Sequence, residues 1–153
     1  ASLEAVYKTI RNPQFLIHNS KLICLLGGQG GGRDKWKRKV MGELAGVFCD
    51  EIILTNEDPY DEKPENILND IESGISVNQF TPLDRLSNGA SRHKSAAYKI
   101  VDRKEAIEKA ISLAKKGDIV ILTGKGGEVW MCVENGKKIS WDERGLVEKI
   151  LEK

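Results

Sequence analysis

Arg33 follows five glycines, Gly27, Gly28, Gly30, Gly31 and Gly32, and precedes Asp34 and Lys35. These residue types can hold an anion. Glycines let the backbone turn tightly and approach a ligand. A helix N-terminus offers free N–H groups and a positive dipole end, and a guanidinium grips a carboxylate or phosphate bidentately. An apolar run, Leu22 to Leu26, stands just before the glycines, and helical spacing begins near Lys35. The stretch reads as a buried strand, a turn and a helix with Asp34 as its N-cap. GxxxxGK[ST] has no match, and Arg33 stands where a dinucleotide fingerprint would place its third glycine. The glycines alone suit an ordinary strand-to-helix turn equally well. Lys35, Lys37, Arg38 and Lys39 crowd the helix's first turn, each opposing the dipole by about 0.3–1 kcal/mol where exposed. They form either a solvated face or the surroundings of a phosphate or carboxylate.

Two further loops carry charge. Glu57, Asp58 and Tyr60 follow the apolar run Glu51 to Thr55, and Lys125 and Glu128 follow Asp118 to Thr123 through a second glycine turn at Gly124, Gly126 and Gly127. In a parallel sheet, ligands bind beyond the carboxyl ends of the strands. The three loops together would suit a zwitterion, its carboxylate on Arg33 and its ammonium on the acidic groups.

The elements that must position them alternate. Leu3, Val6 and Ile10 mark a first helix capped by Ser2 and stopped at Asn12-Pro13. The helix from Lys35 to Phe48 places Trp36, Val40, Leu44 and Val47 on one face. Pro64 opens a helix to Ser73 with Ile67, Leu68 and Ile71 inward and Gly74 closing it. Residues 75–97 read as a long exposed loop, and Tyr98 to Val101 as a short strand. Asp102 and Glu105 form a capping-box-like pair before a helix through Ala106, Ile107, Ala110, Ile111 and Ala114, ended by Gly117. Asn135-Gly136 joins Val129 to Val133 and Lys137 to Ser140 as a hairpin. Asp142 caps a last helix with Leu146, Val147, Ile150 and Leu151 inward. This pattern predicts one α/β domain over residues 1–153: a mostly parallel sheet, helices on both faces and an antiparallel edge hairpin.

Composition excludes several classes. The 153 residues are 31% charged and 40% hydrophobic with net charge +1, which gives no pull toward nucleic acid or an anionic membrane. No apolar run is long enough to cross a bilayer, and the start does not read as a signal peptide. Cys24, Cys49 and Cys132 are widely spaced and read as reduced core residues of a cytosolic protein. His18 and His93 have no partners at ligand spacing, so no metal site is assigned. Trp36, Trp130 and Trp141 read as core or edge packing rather than base-stacking platforms.

GGRDKWKR, TNEDPY and TGKGGE, in this order, resemble the GGDRDKGKRP, TDDNPR and AGKGHE patterns of the Mur ligase C-terminal domain, in the tripeptide-synthetase branch. SLEAVYKTI is similar to its first helix and WDER to its closing DDRE, so the resemblance spans nearly the whole chain. It implies a Rossmann-like domain of a cytoplasmic, ATP- and magnesium-dependent amide ligase of peptidoglycan synthesis, and so of cell-wall growth and division. Such enzymes activate a UDP-muramoyl peptide carboxylate as an acyl phosphate, which an amino acid's amine attacks. By motif, Arg33, Asp58, Tyr60, Gly124 and Glu128 take the amino-acid-binding positions. Asp34, Lys35, Lys37 and Arg38 lie in the segment facing the nucleotide cleft. N-terminal and central domains that hold ATP are expected outside this chain, which begins directly at its first helix; the chain alone is expected to bind no cofactor and to be inactive.

Departures narrow the branch. Tyr60 stands where diaminopimelate-adding enzymes have the arginine that clamps the distal carboxylate, while Glu57 and Asp58 add negative charge; this predicts lysine or ornithine rather than diaminopimelate. Gly127 replaces a histidine and Lys39 a proline. Two alternatives remain: a related ligase acting on a folate or cyanophycin-type acceptor, and a free-standing binding or regulatory module without chemistry.

Overall fold

The computed structural model describes residues 2–12, 14, 20–32, 34–75 and 95–152. Arg33, His18, His93 and most of the expected loop at 75–97 lie outside them. In chain order the elements are α1 (Leu3–Ile10), β1 (Leu22–Leu26), α2 (Lys35–Phe48), β2 (Glu51–Leu54), α3 (Pro64–Ile75), β3 (Ala96–Lys99), α4 (Arg103–Leu113), β4 (Ile119–Leu122), β5 (Trp130–Cys132), β6 (Lys138–Ser140) and α5 (Glu143–Leu151).

Four strands form a parallel sheet in the order β3-β2-β1-β4, with Cys24 opposite Ile52 and Ile121. Alternate residues of β1 and β2 point to opposite faces. Leu22, Cys24, Leu26, Ile52 and Leu54 pack with α1, α2 and α3; Ile23, Leu25 and Ile53 pack with α4 and α5. Burial on both faces explains why LICLL is apolar throughout. β4 is half-buried rather than buried, as befits a strand at the sheet's margin. The chain moves outward from β1 through β2 to β3, then returns to the other side of β1 for β4. The switch point thus lies between the carboxyl ends of β1 and β4. β5 and β6 form a separate antiparallel pair, with Asn135 and Gly136 in the left-handed region at φ +58° and +65°.

Ser2, Asp102 and Asp142 cap their helices as expected, accepting from Ala5, Glu105 and Gly145 N–H at 3.2, 2.9 and 2.9 Å. Four expectations need correction. The inward face of α2 is Arg38, Gly42 and Ala45, with Met41, Leu44 and Phe48 alongside; Trp36 and Val40 are exposed. A buried arginine breaks the apolar periodicity on which the reading rested. Trp36 and Trp130 are 68% and 50% exposed, so only Trp141 packs on a core. α3 continues through Gly74, which packs directly on the Lys39 carbonyl of α2. Finally, Cys24 and Cys49 form a disulfide; the βα unit folds back and brings their Cα atoms to 6.0 Å across 25 residues of sequence. Cys132 is free.

Tyr7 is fully buried against Phe48, and its hydroxyl has no hydrogen-bond partner among the described residues. Burial also pushes its pKa well above the ordinary value. Tyr7→Phe removes the orphaned hydroxyl and keeps the ring, so it should be neutral or stabilising by up to about 1 kcal/mol in urea unfolding. A clear loss of stability would show that the hydroxyl has a partner.

Candidate functional site

The chemically loaded loops converge beyond the strand carboxyl ends. The glycine turn after β1 lies directly on the loop after β2: Gly30 N–H donates to the Asp58 carbonyl at 2.7 Å, and a Cβ on Gly30 would run into the Pro59 carbonyl. This glycine therefore serves loop-to-loop contact. Gly31 and Gly32 follow at φ +72° and +76°. Asp34 sits at the N-cap position, but with φ +53° and no side-chain cap; its carboxylate pairs with Lys37 at 2.6 Å instead. The left-handed backbone there turns the side chain from the helix N–H groups.

Asp58, Lys125 and Glu128 come together as one cluster. Lys125 Nζ donates to Asp58 Oδ1 at 2.8 Å and to Glu128 Oε2 at 2.7 Å, and the Lys125 side chain is wholly buried. Burial disfavours its charge, yet the hydrogen bonds to Asp58 and Glu128 outweigh that and hold its pKa above the usual lysine value. Asp58 also accepts the Cys132 N–H at 2.7 Å. Its charge is compensated from inside the fold. Glu128 is 56% exposed at the side chain, so its carboxylate still reaches solvent. Tyr60, at φ +50° and the exposed rim, donates its backbone N–H to the Cys132 carbonyl at 3.3 Å. Asp61 accepts from Asn135 N–H at 2.7 Å, so the β5–β6 hairpin buttresses the whole loop after β2.

Glu57 is buried beside Gly124, whose φ is +103° and where a Cβ would stand 2.5 Å from Glu57 Oε2. Only glycine leaves that carboxylate its place. Burial raises the Glu57 pKa above the ordinary value, partly opposed by the charges of Arg103 and Lys125. Glu57 lines an open cleft of about 220 Å³ shared with Gly27, Gly28, Asp34, Lys37 and Arg38.

Arg38 borders the cleft but is committed. It is 2% exposed, pairs bidentately with Glu62 at 2.7 and 2.9 Å, and reaches Asp70 at 2.9 Å and the Gln29 carbonyl at 2.9 Å. Lys35 also pairs with Glu62, at 3.2 Å. Of the basic first turn, Lys35 and Lys37 keep exposed side chains alongside their ion pairs, at 56% and 51% exposure, and Lys39 is exposed as well.

Arg103 and Glu143 were absent from the sequence-based site. Arg103 follows the Asp102 cap, where a basic residue reads as solvated. Glu143 lies 40 residues away, in the closing WDER. The signal that could have found them is position: Arg103 opens a helix at the carboxyl end of β3, beside the other loops. Among the described residues, no group of three His, Cys, Asp or Glu side chains could hold a metal ion. No described helix is long and apolar enough to cross a membrane.

The family model of the Mur ligase, glutamate ligase domain, matches residues 1–126. The chain is 40% identical over 128 residues to the UDP-N-acetylmuramoyl-L-alanyl-D-glutamate–2,6-diaminopimelate ligase of Caldanaerobacter subterraneus subsp. tengcongensis, covering 83% of this chain and 23% of that protein. It is 37% identical over 150 residues to the Aquifex aeolicus ligase of the same name, covering 98% and 27%. To the UDP-N-acetylmuramyl-tripeptide synthetase of Borreliella burgdorferi it is 40% identical over 132 residues, covering 86% and 23%. A solved structure of a UDP-N-acetylmuramoyl-L-alanyl-D-glutamate–2,6-diaminopimelate ligase matches with a TM-score of 0.75 at 27% identity, over 97% of this chain and 27% of that one. The chain spans about a quarter of the length of the curated relatives it matches.

Proposed function

Since the chain belongs to the Mur ligase family, as its glutamate ligase domain, we propose that it presents the incoming amino acid in an ATP-dependent ligase. That ligase would extend a UDP-N-acetylmuramoyl peptide in cytoplasmic peptidoglycan synthesis. The observation that carries this reading is the match over residues 1–126 together with the convergence of Asp58, Gly124 and Glu128 at the strand carboxyl ends.

In this reading the peptide carboxylate takes a phosphoryl group from ATP, and the amino acid's amine then attacks the acyl carbon as phosphate leaves. ATP and magnesium belong to other parts of a longer protein, N-terminal and central domains. This chain contributes binding and orientation. Glu128 receives an ammonium group while Lys125 fixes one of its oxygens. Gly124 keeps space for the Glu57 carboxylate, and Asp58 braces the hairpin wall through Cys132 N–H. Arg33 takes the amino acid's carboxylate. Asp34, Lys35 and Lys37 face the nucleotide side, where Arg38 organises the turn from within.

Tyr60 supplies no cation for a distal carboxylate, which favours lysine or ornithine. Lys125 already neutralises Asp58, which weakens the acidic-loop half of that argument. Most of the relatives named above are diaminopimelate ligases. Phosphate release discriminates: the longest natural protein containing this chain is supplied with ATP, magnesium and a UDP-muramoyl dipeptide, and lysine, ornithine, diaminopimelate and glutamate are tested separately. Turnover with lysine or ornithine supports the full reading. Turnover only with diaminopimelate keeps the ligase and removes the inference from Tyr60. No turnover with any of them overturns the assignment. Residues 1–153 alone should release no phosphate.

A further inference from the structure

Arg103 and Glu143 are joined more elaborately than helix packing requires. They are 2% and 5% exposed. Arg103 Nε donates to Glu143 Oε2 at 2.6 Å and Nη2 to Oε1 at 2.9 Å, and Trp141 Nε1 donates to the same Oε2 at 3.0 Å. The remaining reach of the guanidinium goes to two backbone carbonyls: Nη1 to Asn56 at 3.0 Å and Nη2 to Thr123 at 2.8 Å. Asn56 precedes Glu57, and Thr123 precedes Gly124. One guanidinium thus fixes the backbone on both sides of the Glu57 carboxylate. That carboxylate belongs to a residue that is only 8% exposed and lines the cleft, and it accepts no hydrogen bond among the described residues. Glu143 lies beyond residues 1–126, which the family model matches.

We propose that Glu143, acting through Arg103, is a positioning residue for the amino-acid site: the pair holds the loops after β2 and β4 in register and sets the place and charge of Glu57. The site is therefore completed by α5. This rests on the reading of these loops as an amino-acid site, but its electrostatic half does not.

The groups facing Glu57 are Arg103 from α4, Asp58 from the loop after β2, Lys125 and Glu128 from the loop after β4, and, across the cleft, Asp34, Lys37 and Arg38. Burial, Asp58 and Glu128 favour its protonated form; Arg103 and Lys125 favour the carboxylate. Removing the Arg103 charge should therefore raise the Glu57 pKa further. Neutralising Glu143 leaves Arg103 uncompensated and should lower it. The two halves of one ion pair then move Glu57 in opposite directions, whereas simple loosening of the fold would move it one way or not at all.

The test titrates Glu57 by carbon-13 carboxyl NMR in this chain, assigned with Glu57→Gln, for the wild type, Glu143→Gln and Arg103→Gln. Opposite shifts support the proposal; shifts of one sign, or none, overturn it. Should Arg103→Gln fail to fold, the isosteric Glu143→Gln decides by itself, a downward shift supporting and any other result overturning. In the longest natural protein, Glu143→Gln should raise KM for the amino acid about 10–100-fold with KM for ATP little changed. Arg103→Lys, which keeps the charge but cannot span both carbonyls, should raise the same KM while leaving Glu57 nearly unshifted. An equal rise in both KM values overturns the positioning role. If the wild-type protein shows no turnover at all, the functional reading falls, and the opposite shifts at Glu57 then stand or fail alone.

Discussion

Glu62→Gln should cost about 3 kcal/mol at neutral pH, and that cost should vanish in acid. Arg38 is almost fully inside the protein and depends on Glu62 for two of its four hydrogen bonds. Removing one partner of a buried pair leaves an uncompensated charge, a loss of about 3–5 kcal/mol. Asp70 and the Gln29 carbonyl remain, which places the expectation at the low end. The hydrogen bond from Arg38, with help from Lys35, holds the Glu62 pKa down to about 2, from an ordinary 4.5. A carboxylate with a depressed folded-state pKa stabilises fully above its unfolded value and loses that contribution as pH falls through the folded value. At about 1.36 kcal/mol per unit the shift again gives about 3 kcal/mol. Urea midpoints of wild type and Glu62→Gln should thus lie far apart above about pH 4.5 and converge toward pH 2. A gap that is small at pH 7, or that persists unchanged in acid, would show that the Arg38 cluster does not hold the turn after β1 in place.

That cluster also marks where the sequence stopped being readable. LICLL, EIIL and IVIL announce themselves because strands covered on both faces must be apolar. Ser2, Asp102 and Asp142 are local signals, since a cap satisfies N–H groups three residues away. Arg38 is not local. Its partners lie 24 and 32 residues on, and without them a buried arginine is indistinguishable from a solvated one. The apolar pattern therefore pointed to Trp36 and Val40, which are exposed. The site divides the same way. That Asp58, Gly124 and Glu128 lie at one edge follows from a parallel sheet, which alternation of strands and helices already implies; the strand order that sets their loops on either side of β1 does not. That Lys125 neutralises Asp58 across 67 residues does not follow, because the pairing depends on how the second glycine turn bends. Loop location was legible; the charge each loop presents was not. Residue Asp58 looks acidic in sequence and is internally compensated in the fold. Glu57 looks like one more loop carboxylate; it is buried like Asp58, yet its carboxylate accepts no hydrogen bond among the described residues.

Reduction of Cys24–Cys49 should lower stability by about 3–4 kcal/mol without changing the affinity of the site. The bridge closes a 25-residue loop, and restricting the unfolded chain by that much corresponds to about 3–4 kcal/mol. Both cysteines are buried, Cys24 in the middle of β1 and Cys49 at the C-cap of α2. The same corner is clipped from α1, where Arg11 donates to the Phe48 carbonyl at 2.6 Å and pairs with Asp50 at 2.7 Å. α2 ends there, at the opposite end of the sheet from the loops that bear Glu57, Asp58 and Glu128. Losing the crosslink should therefore act on the unfolded ensemble and on α2, not on the cleft. Thiol counting in denaturant should find one reactive thiol, Cys132, before reduction and three after. The urea midpoint should drop on reduction, while KM for the amino acid in the longest natural protein stays put. Three thiols in the unreduced protein would remove the bridge from the native state. A shifted KM would mean that loss of the crosslink in the middle of β1 reaches the glycine turn. Equilibration in a glutathione buffer at cytosolic poise then decides which form a cell holds, since a structural disulfide persists there only if its potential lies below that of the pool.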